Sequence, residues 1–197
     1  MKSVEKTRAL VESACMVALA TVLSFIIIWY LPLGGTVTLC SMIPICVVGL
    51  RYGAKWGLGT SFTYAVLQLF IGIVRDGLLG WGLTPLMLCG SIVLDYLLAY
   101  GLLGLVGLFR RLGEWGIYVG VSAVFALRLF CHFVSGFIIF QYLDQFEMLG
   151  KTLSGRPVLY SLCYNGMYMV PELVLSLVVL VILLRVPFVR KRIFNLQ

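Results

Sequence analysis

A single histidine stands among the 197 residues, which argues against a catalytic zinc site built on several His ligands. The chain has no phosphate-binding glycine loop, so any use of ATP belongs to partner subunits. It has no Cys-x-x-Cys pair. Its six cysteines (15, 40, 46, 89, 131 and 163) fall within or beside apolar segments and read as small apolar filler. Cys131 is adjacent to His132 and projects about 100° away on a helix, and Ser135 lacks a G-x-S-x-G setting, so neither makes a nucleophile–base pair. An enzyme is therefore disfavoured. Charge is also scarce: 12% of residues are charged and 61% hydrophobic, with a mean hydropathy of +1.06. A soluble domain carries about 25% charged residues, so this composition is that of an integral membrane protein. The excess of basic residues (net charge +7) sits at the ends of apolar runs, which points to membrane orientation and not to nucleic acid.

The apolar runs, bounded by Gly, Pro and charge, predict an all-α, polytopic membrane protein: a single domain of six transmembrane helices over about 9–30, 38–50, 54–74, 85–109, 115–142 and 157–184. The first run follows a basic start but is too long for a signal peptide and lacks a small-residue cleavage site. The second, about 13 residues, is shorter than the ~20 needed to cross unaided. Eleven of the fifteen Lys and Arg residues fall on one side of this arrangement and three (Arg75, Lys151, Arg156) on the other. The positive-inside rule then places both termini in the cytoplasm of a cell membrane protein, with the longest loop, Leu143–Arg156, outside. Ala14/Ala18 on the first helix and Gly116/Gly120 are small-x-x-x-small faces that let helices approach closely, and the Gly101/Gly104 pair is similar.

The remaining arginine is the centre of the argument. Arg128, His132 and Gly136 lie at i, i+4 and i+8, so they form one polar stripe on a helix face. An arginine at mid-membrane costs roughly 2.5–3.5 kcal/mol on insertion scales, so it faces the bundle interior. Depths taken from the helical rise put Asp95, His132 and Asn165, on three different helices, roughly 12–15 Å below the outer surface. Arg128 and Glu172 lie deeper and at matched depth, so they are expected to pair. Gln68 is a further hydrogen-bonding group. Tyr96, Phe133, Phe140, Tyr160, Tyr164 and Tyr168 crowd the same level, and Trp29, Tyr30 and Trp81 lie near the rim. Each polar group alone also fits interhelical glue; together they fit a pocket open to the outside. An acid among aromatic faces suits a flat cationic ligand.

These residues carry a family resemblance. Leu94-Asp95-Tyr96 with the Gly-rich stretch that follows, His132-Phe-Val-Ser-Gly136, Tyr160-Ser-Leu-Cys-Tyr-Asn165-Gly166, Gly34-Gly35-Thr-Val-Thr-Leu ahead of Ile43-Pro44, and Met169-Val-Pro-Glu172 resemble the thiamine-specific S components of energy-coupling factor (ECF) transporters. The similarity runs in the same order over nearly the whole chain. It implies that the protein captures thiamine as cargo, without a cofactor, and docks on a transmembrane T component driven by two ATPase subunits. It implies that Asp95 meets the aminopyrimidine, that Tyr96, Tyr160 and Asn165 line the pocket, and that His132 lies beside the thiazolium. Arg128 stands where some members have lysine. Ala14 and Ala18 match the face such proteins turn toward the T component. Two positions depart from the pattern: Phe140 and Gly35 stand where some members have tryptophan, so Trp29, Tyr30 or Trp81 would have to cover the missing face.

Alternatives within the same sequence are an S component for another vitamin or a pyrimidine precursor, and a proton-coupled secondary transporter using Asp95, His132 and Glu172 as a relay. The second lacks the broken helices in repeated halves that point to alternating access.

Overall fold

The computed structural model describes residues 3–140, 147–148, 151–152 and 156–194. It is mostly helical: α1 (Ser3–Phe25), α2 (Ile43–Tyr52), α3 (Ala54–Val74), α4 (Pro85–Phe109), α5 (Gly113–Ile138), α6 (Pro157–Arg185) and a short α7 (Pro187–Arg192). Five of these, α1 and α3 to α6, are long and apolar enough to cross a bilayer. The shortest of the five, α3 with 21 residues, extends about 31 Å, the thickness of the hydrocarbon core.

The first departure from expectation is at the end of α1. The helix stops at Phe25, not Tyr30, and Ile27–Tyr30 forms a strand, β1, paired antiparallel with β2, Thr36–Thr38. The reason is local. Ile26-Ile-Ile-Trp-Tyr30 is a run of β-branched and aromatic residues, which favour extended backbone, and Pro32-Leu-Gly-Gly35 supplies the turn. Leu33 and Gly34 take positive φ there, and Leu31 N–H closes the loop on the Gly35 carbonyl at 2.7 Å. The fold is thus helical with a small β-hairpin at one end of the bundle.

The second helix begins at Ile43, not 38, and its ten residues span about 15 Å, half the hydrocarbon core. Ile43 through Leu50 are all buried, so the helix is sheathed by protein and not by lipid. Gly53 joins it to α3 with φ +93°, a conformation that favours glycine. The expected helix over 115–142 is observed as Gly113–Ile138. Residues 141 and 142 lie outside the described residues, as does most of the Leu143–Arg156 loop. The described pieces of that loop are two short paired strands, Glu147–Met148 and Lys151–Thr152.

Glycines set the helix spacing. A Cβ on Gly104 of α4 would collide with the backbone of Gly57 on α3, and one on Gly107 with that of Gly53 and Ala54. Gly116 and Gly120 similarly accommodate Phe109. These small-residue faces are used for packing inside the chain. Ala14 and Ala18 are different: both are exposed, while Ala9, Ser13, Val17 and Ala20 are the buried face of α1.

Helix α4 is irregular. It opens into a π-helical turn over Ile92–Leu98 and tightens to a 3-10 stretch over Leu102–Phe109. Single π turns inside helices cluster at functional sites, and Asp95 lies within this one.

Candidate functional site

Asp95 is held by two helices. One carboxylate oxygen accepts from Ser91 Oγ at 2.8 Å and Ser135 Oγ at 2.5 Å, and the other lies 2.9 Å from His132 Nδ1. An ionised carboxylate only accepts, so the imidazole proton sits on Nδ1, leaving Nε2 as the second ring site. Nε2 is buried and has no hydrogen-bond partner among the described residues. Asn165 of α6 completes the connection: its Nδ2 donates to the His132 carbonyl at 3.1 Å and the Ser161 carbonyl at 2.9 Å, and its Oδ1 accepts from Tyr168 at 2.8 Å. The three groups expected at one depth, from α4, α5 and α6, therefore form one hydrogen-bonded unit. Much of the Asn165 capacity is taken by protein, so it fastens α6 to α5 as well as facing the cavity. Gly136 makes that approach possible, since a Cβ there would meet Ser161 and the Asn165 amide.

Of the residues singled out from sequence, Asp95, Tyr96, Arg128, His132, Gly136, Phe140, Tyr160, Tyr164 and Asn165 line a single cavity, together with Gln68 and Tyr168; Phe133, expected at the same level, is not part of its lining. Its walls are aromatic. Tyr160 and Tyr164 stack with ring centres 5.9 Å apart, Tyr168 meets Tyr164 edge-on, and Trp81 meets Phe140 edge-on at 5.8 Å. Trp81 is thus the rim aromatic that joins Phe140; Trp29 and Tyr30 sit on β1, about half exposed, and do not line the cavity.

The hairpin forms the remaining wall through Leu33–Thr36. Tyr164 pins it: its hydroxyl accepts from Gly35 N–H at 3.1 Å and donates to the Pro32 carbonyl. Gly35, where some relatives of the resembled family carry tryptophan, has no room for a side chain, because a Cβ would lie 2.7 Å from the Tyr164 hydroxyl. Tyr164→Phe is expected to release this wall at a cost of about 1–3 kcal/mol, the net worth of the two hydrogen bonds it loses. The measurement is faster amide hydrogen exchange over residues 31–37 with the helices unchanged; equal exchange in both proteins would contradict it.

The expected Arg128–Glu172 ion pair is not formed. Arg128, 5% exposed, directs Nη2 to the Tyr100 hydroxyl at 2.9 Å and Nη1 to Met42 Sδ at 2.9 Å, with its guanidinium 4.4 Å from the Tyr100 ring centre. Glu172, 1% exposed, accepts from Thr38 N–H at 2.6 Å and Thr38 Oγ1 at 2.8 Å. Matched depth did not fix direction, and β2 sets the Thr38 N–H and hydroxyl against Glu172. The two residues share only the wall of a small polar chamber of about 10 Å3, next to the main cavity.

Sequence reasoning missed Arg75 and Asp76, which line the cavity from the end of α3. Their side chains pair bidentately at 2.7 and 3.0 Å, Arg75 Nη1 donates to the Ser24 carbonyl, and Trp81 Nε1 donates to the Asp76 carbonyl. Burial alone would lower the Arg75 pKa, but the hydrogen bond and charge of Asp76 raise it above the ordinary value. Tyr100 was missed too; its spacing of four from Tyr96 on one helix face was the available signal.

The sequence as a whole matches the model of a known family, "Thiamine transporter protein (Thia_YuaJ)", over residues 10–190. The chain belongs to that family. It is 33% identical over 190 residues to the thiamine transporter ThiT of Bacillus subtilis (strain 168), covering 88% of each chain. A solved structure of ThiT from Listeria monocytogenes superposes with a TM-score of 0.70 at 20% identity, covering 96% of this chain and 98% of that one, which shows a shared fold. This family member is a multi-pass membrane transport protein, not an enzyme.

Proposed function

We propose that the chain is the substrate-binding membrane subunit, or S component, of an ECF-type importer: it takes thiamine from the outside and delivers it through a T component energised by two ATPase subunits. The observation that carries the reading is the single cavity in which Asp95 and His132 sit among aromatic walls, in a chain of the thiamine transporter family. A flat cation with a hydrogen-bonding pyrimidine needs both features: ring faces attract the charge, and a fixed carboxylate orients the amines. Asp95, Tyr96, Arg128, His132, Gly136, Phe140, Tyr160, Tyr164 and Asn165 are the proposed contacts. Six crossings, with the hairpin and its connection to α2 completing the passage that α2 is too short to make, leave both termini in the cytoplasm of a cell membrane protein. The sheath around α2 favours this, because non-helical backbone at membrane depth is tolerated where protein covers it.

A proton relay through Asp95, His132 and Glu172 fits less well, because Glu172 is engaged by Thr38 and stands apart from the Asp95–His132 hydrogen bond. Titration of the purified protein with thiamine, its separate pyrimidine and thiazolium halves, and other vitamins tests the reading. Tight, saturable binding of thiamine alone is expected; preference for another vitamin would overturn the ligand assignment.

Docking is proposed through the exposed Ala14 and Ala18 of α1. Ala18→Trp should leave thiamine binding by the isolated subunit unchanged and lower uptake by the assembled complex. Normal uptake by both Ala14→Trp and Ala18→Trp would remove α1 as the docking face.

A further inference from the structure

At the opposite end of the bundle from the cavity, a groove of about 390 Å3 runs between the start of α5 and the junction of α6 with α7. Its charged half is made by Arg185, Arg190 and Lys191 against one carboxylate, Glu114, whose Oε2 is 3.2 Å from Arg190 Nη2. Neither Arg185 nor Lys191 has a carboxylate within 4 Å among the described residues. The other half is apolar, lined by Val181, Leu184 and Pro187. Arg185 closes the 29-residue apolar span of α6, so the groove lies where the hydrocarbon gives way to headgroups. Beside it Phe188 and Ile182 are exposed, 67% and 58%, and the exposed face of α6 continues away from the charges through Val178 and Val174.

We propose that this groove binds one anionic phospholipid, with the phosphate between Arg185 and Lys191 and the acyl chains along the exposed face of α6. Two cations with no carboxylate against them among the described residues call for an anion, and basic pockets at helix ends hold lipid phosphates. The adjoining apolar wall distinguishes a lipid from free phosphate, which would satisfy the charged half alone. The site is separate from the thiamine cavity and does not depend on it.

The test is native mass spectrometry of the purified protein with phosphatidylglycerol, phosphatidylcholine and inorganic phosphate as probes. A one-to-one phosphatidylglycerol adduct retained about 30-fold better than phosphatidylcholine is expected, following the attraction of two basic residues to an anionic lipid. Arg185→Gln with Lys191→Gln should remove that preference, and Arg185→Lys with Lys191→Arg should keep it, while both variants bind thiamine as the parent does. Equal retention of the two lipids, or a preference that survives the Gln variant, would overturn the proposal. So would displacement of phosphatidylglycerol by equimolar inorganic phosphate, which would assign the groove to the free ion. If the Gln variant keeps its lipid but fails to assemble with partner subunits, the groove is a protein interface and the proposal fails.

Discussion

Replacing Asp95 by asparagine is expected to weaken thiamine binding by about 1–3 kcal/mol, the range for a hydrogen bond to a charged group, or roughly 5- to 150-fold in Kd. Two effects add. The amide loses the negative charge that attracts a cationic ligand. It also presents only one acceptor oxygen where the carboxylate uses two, taking Ser91 and Ser135 on one oxygen and His132 on the other. Either the amide oxygen stays on Ser91 and Ser135 and the His132 ring loses its acceptor, or it turns to His132 and both hydroxyls must reverse to accept from the amide, and each change reaches α5. Isothermal titration, with the thermal midpoint as a check on folding, decides the matter. Unchanged affinity would remove Asp95 from the site. Loss of affinity together with collapse of the thermal midpoint would make it a structural group.

Glu172→Ala is expected to act on stability first. Leaving a buried donor without its acceptor costs about 1–3 kcal/mol. Here the stranded group is the Thr38 N–H; the Thr38 hydroxyl keeps Ser41 Oγ at 2.8 Å. Arg128, on the wall of the same chamber, loses a neighbouring negative charge in a place where water cannot readily substitute. Using the scaling of about 2–4 °C per kcal/mol for a chain of this size, the thermal midpoint falls by roughly 2–12 °C. Glu172→Gln should fall less, since its amide oxygen can still accept from Thr38 N–H. Because Thr38 ends the hairpin, thiamine affinity should also drop in Glu172→Ala, and more than in Glu172→Gln. A Glu172→Ala protein as stable as the parent would show that Thr38 and Arg128 find other partners.

How far the sequence foretold these features depends on the kind of signal. The long apolar runs of α3 to α6 were legible because a span needs continuous hydrophobicity, and no other part of the fold imitates that. The cavity was legible because polar groups are costly in a membrane, so Asp95, His132 and Asn165 had to face one another, and three helices offer few ways to do so. The hairpin was not, because hydropathy cannot separate a short apolar strand from the end of an apolar helix. The β-branched run at Ile26–Ile28 was the available sign. The Arg128–Glu172 pairing rested on matched depth alone, which does not say which way each side chain turns, and the hairpin sets Thr38 against Glu172 instead. Arg75 and Asp76 escaped for another reason. At a helix end charged residues are ordinary, and only the folded chain brings Trp81 and Ser24 onto them.

The π turn in α4 also bears on how this chain can vary. Such a turn amounts to one surplus residue accommodated within an α-helix. Deleting a single residue between Ile92 and Leu98 would restore regular winding and leave the two flanking halves in nearly their present phase, yet it would change which residues of the turn face the cavity. Asp95 and Tyr96 would swing away relative to the glycines that seat the far half of the helix on α3. Length changes in this segment are therefore expected to be disallowed even where substitutions are tolerated, and the less regular winding persists because the binding groups and the packing groups demand different phases of the same helix.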